Sequence, residues 1–352
     1  MLVPELLPPH GDDRGYLPGP PPPPHAPRWV LAFALFCLTF FSTTTLGPVF
    51  WAMTRTDVVT PLEPFLTPGL VRLVWTTPEM LKLGLSFSVP ALLILLAHEL
   101  GHYIACRRYR LPSTLPYFLP LPWMLGTLGA FIRIRAPLRN RKELFDVGVA
   151  GPIAGFVMLL PFLFYGVAHS SPAELRLRPG EILFLPGRSL AVDLVARIFH
   201  GPIGDGMVLD LHPFALAAWF GLLATSINLL PLGQLDGGHI LYAVSRRWQR
   251  RLAPLAWLGL AAAGRLWPGW WVWCALSLVF GIFHPRVQNE TVPLSRGRTL
   301  VAALALAILV LSFMPRGISQ EGDFPGEEPA GEWVQRSNTN VTGPSLTSDT
   351  SM

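Results

Sequence analysis

Leu92–Arg108 reads LLILLAHELGHYIACRR, and it sets two histidines and a glutamate inside a run of leucine and isoleucine. Holding ionisable groups in apolar surroundings is costly unless a partner satisfies them. His98 and His102 are four residues apart, so on a helix they leave the same face one turn from each other. Two imidazoles so spaced can share one metal ion, and Glu99 between them completes His-Glu-x-x-His, in which the glutamate takes a proton from water. The run is apolar on every side until Arg107 and Arg108, which suits a helix within a bilayer better than one on a soluble surface.

The rest of the chain agrees with a membrane setting. Of 352 residues, 51% are hydrophobic and 14% are charged, against about 25% charged in soluble domains. Seven apolar stretches are candidate spans: Trp29–Met53, Leu83–Ala105, Val147–Ala168, Leu211–Leu230, Leu252–Gly264, Trp267–Phe283 and Leu300–Met314. The expected fold is therefore an all-α polytopic membrane protein of six to seven transmembrane helices. With the N-terminus in the cytoplasm, 17 of the 27 Lys and Arg residues face the cytoplasm, as the positive-inside rule requires. The loops next to the HExxH helix then lie on the cytoplasmic side. The net charge of +5 is spent on this topology, and no nucleic-acid partner is expected. Cys37, Cys106 and Cys274 are too widely spaced to hold a metal and read as small apolar side chains.

Three segments are expected: a proline-rich disordered arm over residues 1–28, without a cleavable signal peptide; a membrane domain over 29–314 with its core at 83–245; and a disordered acidic and Ser/Thr-rich tail over 315–352.

A catalytic zinc has three protein ligands. The third must sit at the depth of the two histidines, and Asp236 is the internal acid of the later apolar segments. His98 lies nine residues before Arg107 and Asp236 lies ten before Arg246, so at helical rise both are roughly 13–15 Å from a basic flank. Pro231 and Gly233 should break the helix just before Asp236, and such a break is tolerated where it is packed in protein or lines a wet cavity. Asn228 ends the apolar run. Its amide can position a substrate carbonyl or bond to a neighbouring helix, and the residue types leave both readings open.

His98-Glu99-Leu100-Gly101-His102, followed by NLLPLGQLDGG over Asn228–Gly238 and accompanied by GVAGPIAGF over Gly148–Phe156, resembles the site-2 protease family of intramembrane zinc metalloproteases. The likeness extends across Leu83–Ser245, and Thr114–Arg135 is similar to the branch without an inserted PDZ domain. The resemblance implies one Zn2+ per chain on His98, His102 and Asp236, Glu99 as general base and Asn228 as a substrate-positioning residue. It implies a metalloendopeptidase whose substrates are membrane proteins with a transmembrane helix, cut within the lipid bilayer. A metal-binding membrane protein without proteolysis, a carrier or pseudoprotease, is the competing reading. Glu99 separates the two, because a carrier has no use for a base beside two ligands.

Two further expectations concern the surroundings. Gly151 and Gly155 form a small-xxx-small face suited to close helix packing. Thr127–Arg135 has β character and is expected to lie in a short hairpin or re-entrant segment near the active site, where it could pair with an unwound substrate. The histidines other than His98 and His102 read as isolated.

Overall fold

The structure is a computed structural model, and it describes residues 29–56, 65–175, 182–204 and 206–322. The expected arm over 1–28, and the tail beyond 322, lie outside the described residues.

Three helices are long and apolar enough to cross a membrane: α1 (Trp29–Met53), α3 (Pro78–Arg108) and α4 (Arg141–Ala168). A short α2 (Pro68–Thr76) precedes α3. Then come α5 (Leu190–His200), α6 (Pro213–Asn228), α7 (Asp236–Val244), α8 (Arg246–Ala263), α9 (Gly269–Phe280) and α10 (Arg296–Ser312). The first apolar stretch matches α1 residue for residue. The last four correspond to α6, α8, α9 and α10, each below the length or hydropathy of a complete crossing.

The chain is mostly helical but not all-α. Strands β1 (Tyr117–Pro120) and β2 (Thr127–Phe131) form the expected hairpin. Two antiparallel pairs were not expected: β3 (Ser171–Glu174) with β5 (Met207–Asp210), and β4 (Ile182–Pro186) with β6 (Ile318–Gly322). Each of these strands has four or five residues and two contain proline, so neither alternation nor length marks them in the sequence. Strand β6 also carries the folded region past the expected boundary at residue 314.

Helix α3 is the hub, packed on α1, α4 and α6. Close backbone approach makes this possible. A Cβ on Gly84 would lie 2.2 Å from the Thr44 carbonyl oxygen of α1, and one on Gly101 would lie 2.4 Å from the Ala150 carbonyl oxygen of α4. Between α1 and α3, the buried Thr44 and Ser88 hydroxyls bond to each other at 2.8 Å. Such bonds satisfy polar groups that lipid would leave bare.

The hairpin is stapled to α1. Ser42 donates to the Gly126 carbonyl at 2.6 Å, and Gly126, with φ +77°, sits on the backbone of Ser42 and Thr43. Phe36 meets Phe118 edge-on at 5.2 Å. Because Ser42 lies near the middle of α1, the hairpin turn reaches the middle of that helix rather than its end.

Substituting Gly84 by valine should disturb the α1–α3 contact and cost about 1–3 kcal/mol, the usual range for overpacking. Thermal unfolding of the detergent-solubilised variant checks this, and an unchanged midpoint would show that the two backbones do not meet at Gly84.

Candidate metal centre

His98 and His102 project from the same face of α3 and are buried. Asp236 arrives from another part of the chain. Helix α6 stops at Asn228, residues 229–235 run without regular helix, and α7 begins at Asp236. Gly233 turns the chain with φ +49°. Gly237 lets α7 start against the end of α6, since a Cβ there would lie 1.9 Å from the Leu229 carbonyl oxygen. The expected break is thus present, and it aims an acid at two histidines on a different helix.

The three side chains meet. His98 Nε2 and His102 Nε2 are 3.1 Å apart, and Asp236 Oδ2 is 3.3 Å from each. His102 Nδ1 is 2.8 Å from the Val147 carbonyl oxygen and donates its proton there. That fixes the tautomer and turns the Nε2 lone pair inward. A lone pair, a carboxylate oxygen and a second imidazole nitrogen then face one another with too few protons to satisfy all three contacts. A cation satisfies them. Tetrahedral ligands held at 2.0–2.1 Å are separated by about 3.3 Å, which matches the spacings found. The residues fit a metal ion, and this trio is the one such cluster among the described residues.

Glu99 is also buried, and the backbone of Ile132, just past β2, is within hydrogen-bonding reach of its carboxylate. The hairpin therefore lies on the side of the site where the glutamate sits. Asn228 Nδ2 is 3.4 Å from His98 Nε2, which places the amide at the rim of the cluster.

Three features of the site leave no pattern in the sequence. The Val147 carbonyl is backbone and leaves no residue signature. The small-xxx-small face marks Gly151 for helix packing, and α4 does pack there, but its particular role is to make room for the His102 ring: a Cβ would lie 2.1 Å from His102 Nε2. Gly155 faces His98 more loosely, at 3.1 Å from its Cβ. The third is a correction. His239 and His284 are not isolated, since His239 Nδ1 and His284 Nε2 lie 2.8 Å apart across 45 residues.

A helical, apolar bundle with HExxH on one helix, and an aspartate brought to it after a broken second helix, has the make-up of a membrane metallopeptidase. Residues 86–262 match Peptidase family M50, the site-2 protease family, and the chain belongs to it. It is similar to the probable zinc metalloprotease EGY2, chloroplastic, of Oryza sativa subsp. indica, at 32% identity over 76% of this chain and 50% of that protein. It is also similar to EGY2 of Arabidopsis thaliana, at 31% identity over 67% of this chain and 42% of that protein. The probable zinc metalloprotease EGY1, chloroplastic, of Arabidopsis thaliana is 27% identical over 82% of this chain and 53% of its own length. The chain thus spans about half the length of these curated relatives.

Alanine at His98, His102 or Asp236 should each strongly reduce bound zinc from about one ion per chain. Gly151→Ala should do the same without removing a ligand, whereas Gly155→Ala should have a smaller effect. Metal analysis of the purified variants checks both, and full zinc in Gly151→Ala would show that His102 does not pack against this glycine.

Proposed function

We propose that this protein is an intramembrane zinc metalloendopeptidase that hydrolyses peptide bonds within transmembrane segments of other membrane proteins. The observation that carries the reading is the meeting of His98, His102 and Asp236 within buried helices, with Glu99 beside them. Family membership and the similarity to probable zinc metalloproteases support the choice of zinc.

In this reading His98 Nε2, His102 Nε2 and Asp236 Oδ2 hold the ion. Bound zinc supplies a Lewis acid that polarises the scissile carbonyl and lowers the pKa of water. Glu99 accepts a proton from the attacking water and returns it to the leaving amine. Asn228 donates its amide to the substrate carbonyl and keeps it at the site. Val147 holds the His102 ring, and α3 and α4 exclude bulk water from the base.

A transmembrane substrate hides its peptide bonds in its own helix, so it must be opened before water can attack. Among the described residues β2 pairs with β1 alone, so its other edge has no strand partner. That edge leads to Ile132, beside Glu99. An unwound substrate added there as a strand would run past the base.

The N-terminus and the loops flanking the HExxH helix are assigned to the cytoplasm on the charge bias, with seven spans. The cut then falls in the cytoplasmic half of the substrate's span.

Glu99→Gln should retain zinc and fold but lose about 10²–10⁴-fold or more in rate, because an amide cannot take the proton. Assays with single-span membrane proteins, with and without chelator, give the rate. A variant that cleaved at the wild-type rate would remove Glu99 as the base. Mass spectrometry of the fragments should place the cut inside the span, and cleavage confined to water-exposed loops would contradict the intramembrane reading.

A further inference from the structure

Helix α7 carries Asp236 yet has only nine residues, and it follows seven residues without regular helix. An isolated helix of that length is not stable in itself. Its position, and with it that of the aspartate, must come from what holds it. One clamp is at its far end, where Arg141 of α4 donates to the Ala243 and Val244 carbonyls at 2.7 and 2.6 Å. This suits a guanidinium at a helix C-terminus.

The second clamp is the segment after α9. Ile282 accepts from the Gly233 amide at 2.9 Å and from Gln249 Nε2 at 3.3 Å. The Tyr242 hydroxyl donates to Glu290 at 2.6 Å, and Arg246 bonds to the same carboxylate. The Tyr242 hydroxyl and the Arg246 guanidinium hold the Glu290 carboxyl below its ordinary range, so it stays ionised at neutral pH. In the middle, His284 packs its ring against Tyr242 at 4.5 Å and faces His239, which stands one helical turn after Asp236. His284 Nδ1 bonds to the Pro285 carbonyl, so Nδ1 carries the proton and Nε2 accepts. His239 Nδ1–H is then the donor. His284 and Glu290 both lie beyond the residues that match the family.

We propose that His284 is a positioning residue for the metal centre: by accepting from His239 it fixes the rotation of α7 that turns Asp236 toward His98 and His102. The inference rests on the reading of Asp236 as a ligand. His284 touches neither metal nor substrate and acts through His239.

Two substitutions separate the acceptor from the ring. His284→Phe keeps a ring against Tyr242 and loses the acceptor, while His284→Gln keeps an acceptor and loses the ring. Zinc affinity is measured by chelator competition on the purified full chain, and the visible spectrum of the cobalt-substituted protein reports the ligand geometry. His284→Phe should bind zinc about 10–100-fold more weakly, the range typical of residues that orient a metal's ligands, and shift the cobalt bands. His284→Gln should stay near wild type in both. In proteolysis the phenylalanine variant should lower kcat and leave KM unchanged.

Wild-type zinc affinity and cobalt spectrum in His284→Phe would overturn the proposal, as would equal losses in the two variants, which would mark a purely structural role. Should His284→Phe fail to fold, His239→Phe removes the donor of the same bond and is read in the same way. Asp236→Asn keeps the two failures apart. Undiminished zinc there would overturn the ligand assignment and the positioning role together. Lost zinc there, with wild-type affinity in His284→Phe, would overturn the positioning role alone.

Discussion

Everything in this molecule answers to one constraint: two imidazole nitrogens and a carboxylate oxygen within 3.3 Å of one another, inside an apolar bundle. Such a grouping is unfavourable without a shared cation and without fixed ring orientations. The surrounding structure supplies the orientation. Val147 turns His102, and α4 presents glycine where a side chain would strike the ring. A helix break brings in the carboxylate, because no continuous α6 could turn Asp236 back toward α3.

The same close packing that seats the two histidines also organises the bundle. Glycine at positions 84, 101 and 151 lets α3 approach two neighbours at backbone distance. In lipid there is little hydrophobic drive between helices, so contact of this kind and buried hydroxyl bonds carry the association. The hairpin belongs to this assembly as well. It is tied to α1 at Ser42 and leads to Ile132 beside Glu99, so the first helix and that buried glutamate are connected through one short β element.

Much of this was legible in the sequence. Long apolar runs give the first three long helices, and the HExxH spacing brings two histidines together because α-helical geometry places residues four apart on one face. Asp236 could be reached by matching depth and by the proline and glycine that precede it. What escaped shares a physical character. The Val147 carbonyl is backbone, so any residue there would offer it. Gly151 shows only that space is needed, not what fills it. His239 and His284 are partners across 45 residues, and neither sits in a local pattern. The small strand pairs are closed by distant partners, as β4 is by β6, and four or five residues are too few for periodicity to show. The last three apolar helices are short or carry charge, so length alone does not assign them as crossings.

X-ray absorption at the zinc edge of the purified protein tests the central claim most directly, because it counts the atoms around the ion. The expected shell is two imidazoles and low-Z oxygen at about 2.0–2.1 Å. Sulfur scattering at about 2.3 Å, or a shell without imidazole, would place the ion elsewhere and contradict the assignment of His98, His102 and Asp236.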